Sequence, residues 1–165
     1  MIKSPSYLWD TNCLIEAARK WYPFDIAPGF WEAVVLSNQK GHVFTLDKVV
    51  SEINEGKIYD WLKSIPRFAL QTNTAVLLEY KNVVDYVQKS AIYTEHHKRR
   101  FASGADGYLI ACAKTYNMTV VTQETRVPNN SQVIKIPNLC EQFCVPYIAL
   151  PEMIKRLDMR LILKT

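Results

Sequence analysis

The sequence predicts an α/β protein organised on a parallel sheet. Short apolar runs alternate along the chain with helical stretches, and those stretches carry their apolar residues on one face. Proline and glycine punctuate the junctions. The first run, Ser6 to Trp9, ends at Asp10 and reads as a buried strand. Thr11 to Lys20 reads as a helix with Leu14, Ile15 and Ala18 on one face. Trp21 to Gly29 is a loop with two prolines, and Phe30 to Gln39 is the next helix, with Pro28 suited to its first turn and Gly41 behind its end. His42 to Thr45 is the second strand. Leu46, Val49, Val50 and Ile53 recur at helical spacing, with Gly56 as the stop, and Ile58 to Ser64 is a short helix closed by Pro66. A long helix is expected over Thr72 to Ile92 and another over Ser103 to Tyr116. Met118 to Thr122 is a β-branched strand. After a polar loop, Gln123 to Ser131, a short strand is expected at Val133 to Ile136, a helical turn at Asn138 to Phe143, a last strand at Tyr147 to Ala149 and a last helix at Pro151 to Leu157.

The chain has 165 residues, which fits one domain spanning residues 1–165. With 48% hydrophobic and 22% charged residues, it has the composition of a folded protein rather than a disordered one. A net charge of +4 is compatible with a nucleic-acid partner without requiring one. No run of about 18 apolar residues is present, so no membrane span is expected. Met1 to Asp10 lacks the apolar region of a secretory signal, and the expected compartment is the cytoplasm. Cys13, Cys112, Cys140 and Cys144 form no CxxC pair, and His96 and His97 are adjacent rather than spaced, so reduced thiols are expected rather than a zinc site. No phosphate-cradling glycine motif occurs. The residues after Leu157 read as a basic tail or a dimer contact.

In parallel α/β sheets, ligands bind beyond the carboxyl ends of the strands. The acidic residues there form a pattern. Asp10 directly follows the first strand, Glu124 follows the Met118 strand, and Asp106 lies in the first turn of the helix before that strand. Asp106, Leu109, Ile110 and Ala113 share one face, so a carboxylate sits at the edge of an apolar stripe. Glu52 lies on the flank of the Leu46–Ile53 stripe, whereas Glu55 points to the opposite face. Each has an ordinary explanation: Asp10 as a helix N-cap, Ser103 to Asp106 as a variant capping box, Glu52 and Glu124 as solvated carboxylates. Together, four carboxylates at one end of a sheet repel each other, and hard cations with oxygen ligands, Mg²⁺ or Mn²⁺, resolve such repulsion. Those ions activate water and stabilise a leaving oxygen in phosphodiester hydrolysis.

These residues resemble the PIN-domain nucleases, including the VapC-type ribonuclease toxins. The family pattern is matched by Asp10-Thr11-Asn12, Ser51-Glu52-Ile53, the Ala105 to Ala111 segment that contains Asp106, and Val121-Thr122-Gln123-Glu124. The nearest resemblance is to a family of short PIN-like proteins that share the Tyr22 to Trp31 and Lys135 to Cys140 stretches. The resemblance implies a three-layer α/β/α sandwich around a mostly parallel sheet. It also implies metal-dependent endoribonuclease activity and, for many relatives, a toxin role beside a cognate antitoxin. Asp10, Glu52 and Asp106 are then the expected catalytic metal ligands, with Glu124 holding a second ion or positioning the attacking water. Thr11, Asn12 and Thr122 are the expected supporting residues. The family most often carries Asp where Glu124 stands, so a longer arm is expected to shift the second ion.

Lys98, Arg99 and Arg100 belong to the densest basic patch, His96 to Arg100. It reads either as a solvated helix end or loop, or as a phosphate contact that steers RNA. The aromatic residues from Trp21 to Trp31 read first as core and second as a base-stacking or antitoxin-docking surface. The alternatives to a ribonuclease are a catalytically weak scaffold that binds RNA or a protein partner, and a phosphatase or flap-type DNA nuclease. A homodimer is left open.

Overall fold

The computed structural model describes residues 5–162. The first strand, β1 (Tyr7–Trp9), is buried on both faces, as a central parallel strand requires. Helix α1 (Thr11–Glu16) follows and passes into a π-helical turn, Ala17–Trp21. Next come α2 (Pro28–Gln39), β2 (Val43–Leu46), α3 (Asp47–Ile53), α4 (Gly56–Ser64) and β3 (Ala69–Leu70). The chain then runs through α5 (Thr74–Lys89), α6 (Glu95–Ser103) and α7 (Asp106–Tyr116) to β4 (Thr119–Val121). Helix α8 (Ile136–Gln142), β5 (Tyr147–Ile148) and α9 (Leu150–Arg156) complete it.

The strands lie in the order β3-β2-β1-β4-β5, all parallel, with Tyr7 opposite Val43 on one side and Thr119 on the other. The direction of winding reverses after β3. Right-handed crossovers therefore place α1 to α4 on one face and α5 to α8 on the other. Trp9 fixes α9 on the α2 face, because its ring lies 6.3 Å from Phe30 and its Nε1 donates to Met153 Sδ at 3.0 Å. The three-layer arrangement implied by the family resemblance is thus present.

The reversal between β1 and β4 creates a crevice at the carboxyl ends of those two strands. Thr45 Oγ1 donates to the Trp9 carbonyl at 2.9 Å and locks β2 beside that end. The aromatic segment before α2 packs as core: Phe30 and Trp31 are buried, Tyr22 stacks on Phe30 at 4.0 Å and Phe24 on Trp31 at 4.4 Å. Trp61 of α4 joins them, 4.7 Å from Trp31. Only Trp21 of that segment's large aromatics is left largely exposed.

Four expectations are corrected. Val133 to Ile136 forms no strand; the fifth strand is instead Ala69–Leu70, too short for an alternation to show. The basic patch is a helix of its own, α6, capped by Thr94, whose hydroxyl accepts from the His97 N–H at 3.3 Å. The expected Ser103–Tyr116 helix begins only at Asp106, and no capping box forms, because the Ser103 hydroxyl donates back to the Arg100 carbonyl. Finally, Asn54 in the left-handed region ends α3, and Gly56, at φ 86°, opens α4 rather than closing the helix before it. Of the tail after Leu157, residues 163–165 lie outside the described residues.

Candidate metal centre at the carboxyl ends of β1 and β4

Asp10 is buried where β1 ends. Its backbone is extended, so it caps α1, and its Oδ1 accepts from the Cys13 N–H at 2.5 Å. Its other oxygen, Oδ2, accepts from Thr122 Oγ1 at 2.7 Å, across from the end of the neighbouring strand. The capping role is therefore real, and it uses only one of the two oxygens. Burial, above all, pushes the Asp10 carboxyl up to about 7; the Thr122 and Cys13 bonds oppose that, and the charges of Asp106 and Glu124 add to it.

Asp106 opens α7 and is half-buried. Its carboxyl is also pushed up to about 7, first by burial, then by Glu124 and Glu52, against the pull of Lys135 and Arg100. Glu52 comes from α3 and turns toward the same place. Its Oε2 accepts from Thr11 Oγ1 at 2.5 Å and its Oε1 from the Ala105 N–H at 2.7 Å. Gly104 eases that approach, since a Cβ there would stand a tight 3.2 Å from Glu52 Oε1.

Glu124 follows β4. Its N–H donates to Thr122 Oγ1 at 3.1 Å, so one hydroxyl orients both Asp10 and the turn that carries Glu124. Its Oε2 accepts from the Ile136 N–H at 2.8 Å, and its Oε1 lies 3.5 Å from Lys135 Nζ. The Glu124 side chain is thus held by the segment that starts α8.

A pocket of about 430 Å³ opens over this cluster, lined by Thr11, Asn12, Glu52, Arg100, Asp106, Glu124 and Lys135 among others. The structure therefore brings Glu52, Asp106 and Glu124 to one cavity, leaves Asp10 buried outside its lining but within reach of the Asp106 and Glu124 charges, and sets Thr11 and Thr122 as hydrogen-bond donors to Glu52 and Asp10. Asn12 lines the pocket and is exposed. The basic patch divides. Arg100 lines the pocket, whereas Lys98 is buried and donates to the Gln88 carbonyl at 2.9 Å, pinning α6 to α5; Arg99 is exposed and is not among the pocket's lining residues.

The donor set is all oxygen, which fits a hard divalent cation, and the mutual repulsion recorded at Asp10 and Asp106 is what such an ion relieves. Among the described residues, no three His, Cys, Asp or Glu side chains stand close enough together to hold a metal ion as placed. Glu52 and Glu124 instead face their own hydrogen-bond partners. Thiol chemistry is disfavoured here: Cys140, beside the cluster, is pushed up to about 12 by burial and then by the carboxylates of Asp10, Asp106, Glu124 and Glu141. Sequence reasoning missed two contributors. Lys135 was visible only inside the Lys135 to Cys140 stretch, and nothing local announced that the Ala105 N–H would serve Glu52.

Two solved structures share this architecture. FitAcB from Neisseria gonorrhoeae matches with a TM-score of 0.52 and 18% identity, over 86% of this chain and 96% of its own. FitAB bound to an IR36 DNA fragment matches with a TM-score of 0.51 and 19% identity, over 87% and 94%. At that identity the likeness is one of fold, the PIN-like α/β fold. No curated protein matches the chain. A family model matches residues 7–161, and on that span the chain belongs to the family described as domain of unknown function (DUF4411).

Proposed function

We propose that the protein is a metal-dependent endoribonuclease that hydrolyses RNA phosphodiester bonds, acting as the toxin of a toxin–antitoxin pair with a cognate antitoxin protein as its partner. The observation that supports this reading is the convergence of Glu52, Asp106 and Glu124 on one pocket at the strand order's reversal, with Asp10 buried within reach of the Asp106 and Glu124 charges and the Asp10 and Asp106 carboxyls both pushed up to about 7. The toxin assignment rests on the PIN-domain resemblance and is consistent with the FitAcB and FitAB fold neighbours.

Asp10, Glu52, Asp106 and Glu124 are the residues that would hold Mg²⁺ or Mn²⁺. Bound there, the ion supplies an activated water and charge stabilisation at the phosphate. The protein's own part is positional. Thr122 orients Asp10, Thr11 and the Ala105 N–H orient Glu52, and the Ile136 N–H holds Glu124. Arg100 at the rim offers a bidentate donor to a phosphate.

One observation favours a second reading, a scaffold that binds RNA or a protein without cutting: the carboxylates do not close into a cage among the described residues. The test is incubation of the purified protein with structured and unstructured RNA in Mn²⁺, Mg²⁺ or EDTA, beside the Asp10→Asn, Asp106→Asn double variant. Metal-dependent cleavage absent from the variant supports the nuclease. No cleavage and no metal binding by calorimetry supports the scaffold.

A further inference from the structure

The Lys135 to Cys140 stretch supplies none of the four carboxylates. The structure gives most of it a plain task. Asn138 exchanges two hydrogen bonds with Val127, donating to its carbonyl at 2.8 Å and accepting from its N–H at 3.0 Å. Ile136 and Cys140 are buried, and the Ile136 N–H holds Glu124. These residues fold the β4–α8 loop back against the pocket.

Lys135 does not fit that task. Its side chain is one-third exposed and lines the pocket, and its ammonium stands 3.5 Å from Glu124 Oε1. Its charge also reaches Asp106. A lysine fixing a loop needs no place in a cavity of carboxylates. One that serves a substrate does, because an ammonium carries three N–H donors and a single long contact to Glu124 leaves donor capacity facing the open pocket. Arg100 stands in the lining of the same cavity. A polyanion entering this pocket would meet the charges of Lys135 and Arg100 beside the carboxylates, whose charge alone would repel it.

We propose that Lys135 is a phosphate-binding residue of this pocket, parked on Glu124 in the free protein and transferred to a backbone phosphate of the RNA strand that binds beside the carboxylates. The inference rests on the proposed ribonuclease reading for the identity of the polyanion. It also gives a function to the stretch shared with the short PIN-like proteins: the loop carries its own phosphate ligand into the site.

The test uses the full chain with Lys135→Met and Lys135→Arg and two readouts that do not need cleavage. The first is binding of a labelled single-stranded oligouridylate in EDTA across a salt series. The second is Mn²⁺ binding by calorimetry. Lys135→Met is expected to weaken RNA binding about tenfold and to reduce the slope of log affinity against log salt by about one, with Lys135→Arg restoring most of it. The same Met variant is expected to bind Mn²⁺ as tightly as the parent or several-fold more tightly, because a positive charge has left the cluster. Weaker RNA binding with Mn²⁺ binding unchanged or tightened supports the proposal. Unchanged RNA binding overturns it while leaving the nuclease reading intact. Loss of RNA and Mn²⁺ binding together also overturns it, since that is the signature of a clamp that merely shapes Glu124. A parent protein that binds the RNA yet cuts none in any metal removes the nuclease reading instead, and the Met-to-parent ratio still decides Lys135.

Discussion

Two pockets open near the strand ends of this sheet, and the larger one carries less chemistry. About 630 Å³ is enclosed beside Ser6, Gly41 and Met118, residues that precede β1, β2 and β4, together with Phe44, Leu70, Gln71 and Tyr116. Among the described residues, no acidic or basic side chain lines it. About 430 Å³ is enclosed at the other end, where three carboxylates and two cations face one space and the buried Asp10 lies within reach of their charges. Size does not separate them; chain polarity does. At the carboxyl ends, successive crossovers deliver helix starts beside strand ends, so Asp10, Asp106 and the turn holding Glu124 arrive at one place. At the amino ends the chain arrives from helix C-termini and brings Gly41, Asn117 and Met118 instead, residues that stop helices and enter strands.

The sharpest way to break that contrast is to neutralise each end in turn. Asp10→Asn and Asp106→Asn, singly, are each expected to lower metal-dependent RNA cleavage by about 10²-fold or more, the loss of a few kcal/mol of charge stabilisation. Ser6→Ala and Gln71→Ala in the larger pocket are expected to stay within about twofold of the parent. Initial rates under saturating Mn²⁺ measure both. Equal losses at the two ends would mean that the amino-end pocket, not the carboxylates, defines the site.

The second prediction concerns what the carboxylate end costs in stability. The folded state holds the Asp10 proton up to about pH 7, whereas the unfolded chain releases it near 3.8. Between those values the folded state binds more protons, so stability falls as pH rises from about 4 to 7 and is flat beyond. The full penalty is therefore present at pH 7.5, with a ceiling of about 4 kcal/mol. Asp10→Asn keeps an N-cap and removes the charge. In EDTA it is expected to be more stable than the parent at pH 7.5, by about 2 kcal/mol, and no more stable at pH 4. Urea midpoints at the two pH values check this. Mn²⁺ is expected to raise the parent's midpoint and leave the variant's unchanged, because only the parent retains the full donor set. A helix cap with no further role predicts no such gain.

How far the sequence led also divides along this line. Asp10, Asp106 and Glu124 were legible because a residue that follows a strand or opens a helix has its position set by local rules. Glu52 was legible only as a helix flank, and its convergence depended on α3 lying beside α1. Lys135 was not legible as a site residue, since its segment reads as a strand by composition; the buried Ile136 and the Asn138 bonds to Val127 turn it into a loop and helix start. Strand β3 escaped because two residues carry no period. Lys98 looked like a surface phosphate ligand, but its stem is buried and its ammonium is committed to the Gln88 carbonyl and to Glu95 at 3.3 Å. A charge run reports composition, and only packing decides which of its members reach solvent.

Glycines at the two ends sharpen the comparison at lower energy. Gly107, one residue into α7 after Asp106, has no room: a Cβ there would stand 2.9 Å from Tyr80 Cε2 and 3.1 Å from the Phe101 ring. Gly107→Ala gains helix propensity of about 1 kcal/mol yet forces that contact apart, for a net loss of about 1–2 kcal/mol. Gly41 has open space around it but a φ of 81°. Gly41→Ala is expected to cost about 1 kcal/mol through backbone strain alone. The two are told apart by function. Gly107→Ala is expected to disturb cleavage as well as stability, because the first turn of α7 carries Asp106, whereas Gly41→Ala leaves the rate of the folded fraction unchanged.

One further substitution tests whether the strand ends act together. Thr122 Oγ1 donates to Asp10 Oδ2 at 2.7 Å and accepts from the Glu124 N–H at 3.1 Å, so one hydroxyl ties both carboxylate-bearing segments to the end of β4. Thr122→Val keeps the shape and the β-branch and removes both bonds. The donor that favours charged Asp10 is lost, so its carboxyl rises further and competes with protons at higher pH. Loss of such an orienting partner is expected to weaken Mn²⁺ binding by about tenfold at pH 7. The deficit should shrink as pH rises toward 9, since deprotonating Asp10 restores its charge and leaves only the lost orientation. Calorimetric Mn²⁺ titrations at pH 7 and 9 read that difference. A deficit that does not change with pH would mean that Thr122 serves the geometry of the Glu124 turn and not the charge of Asp10, and the two carboxylates would then be independent neighbours rather than one site.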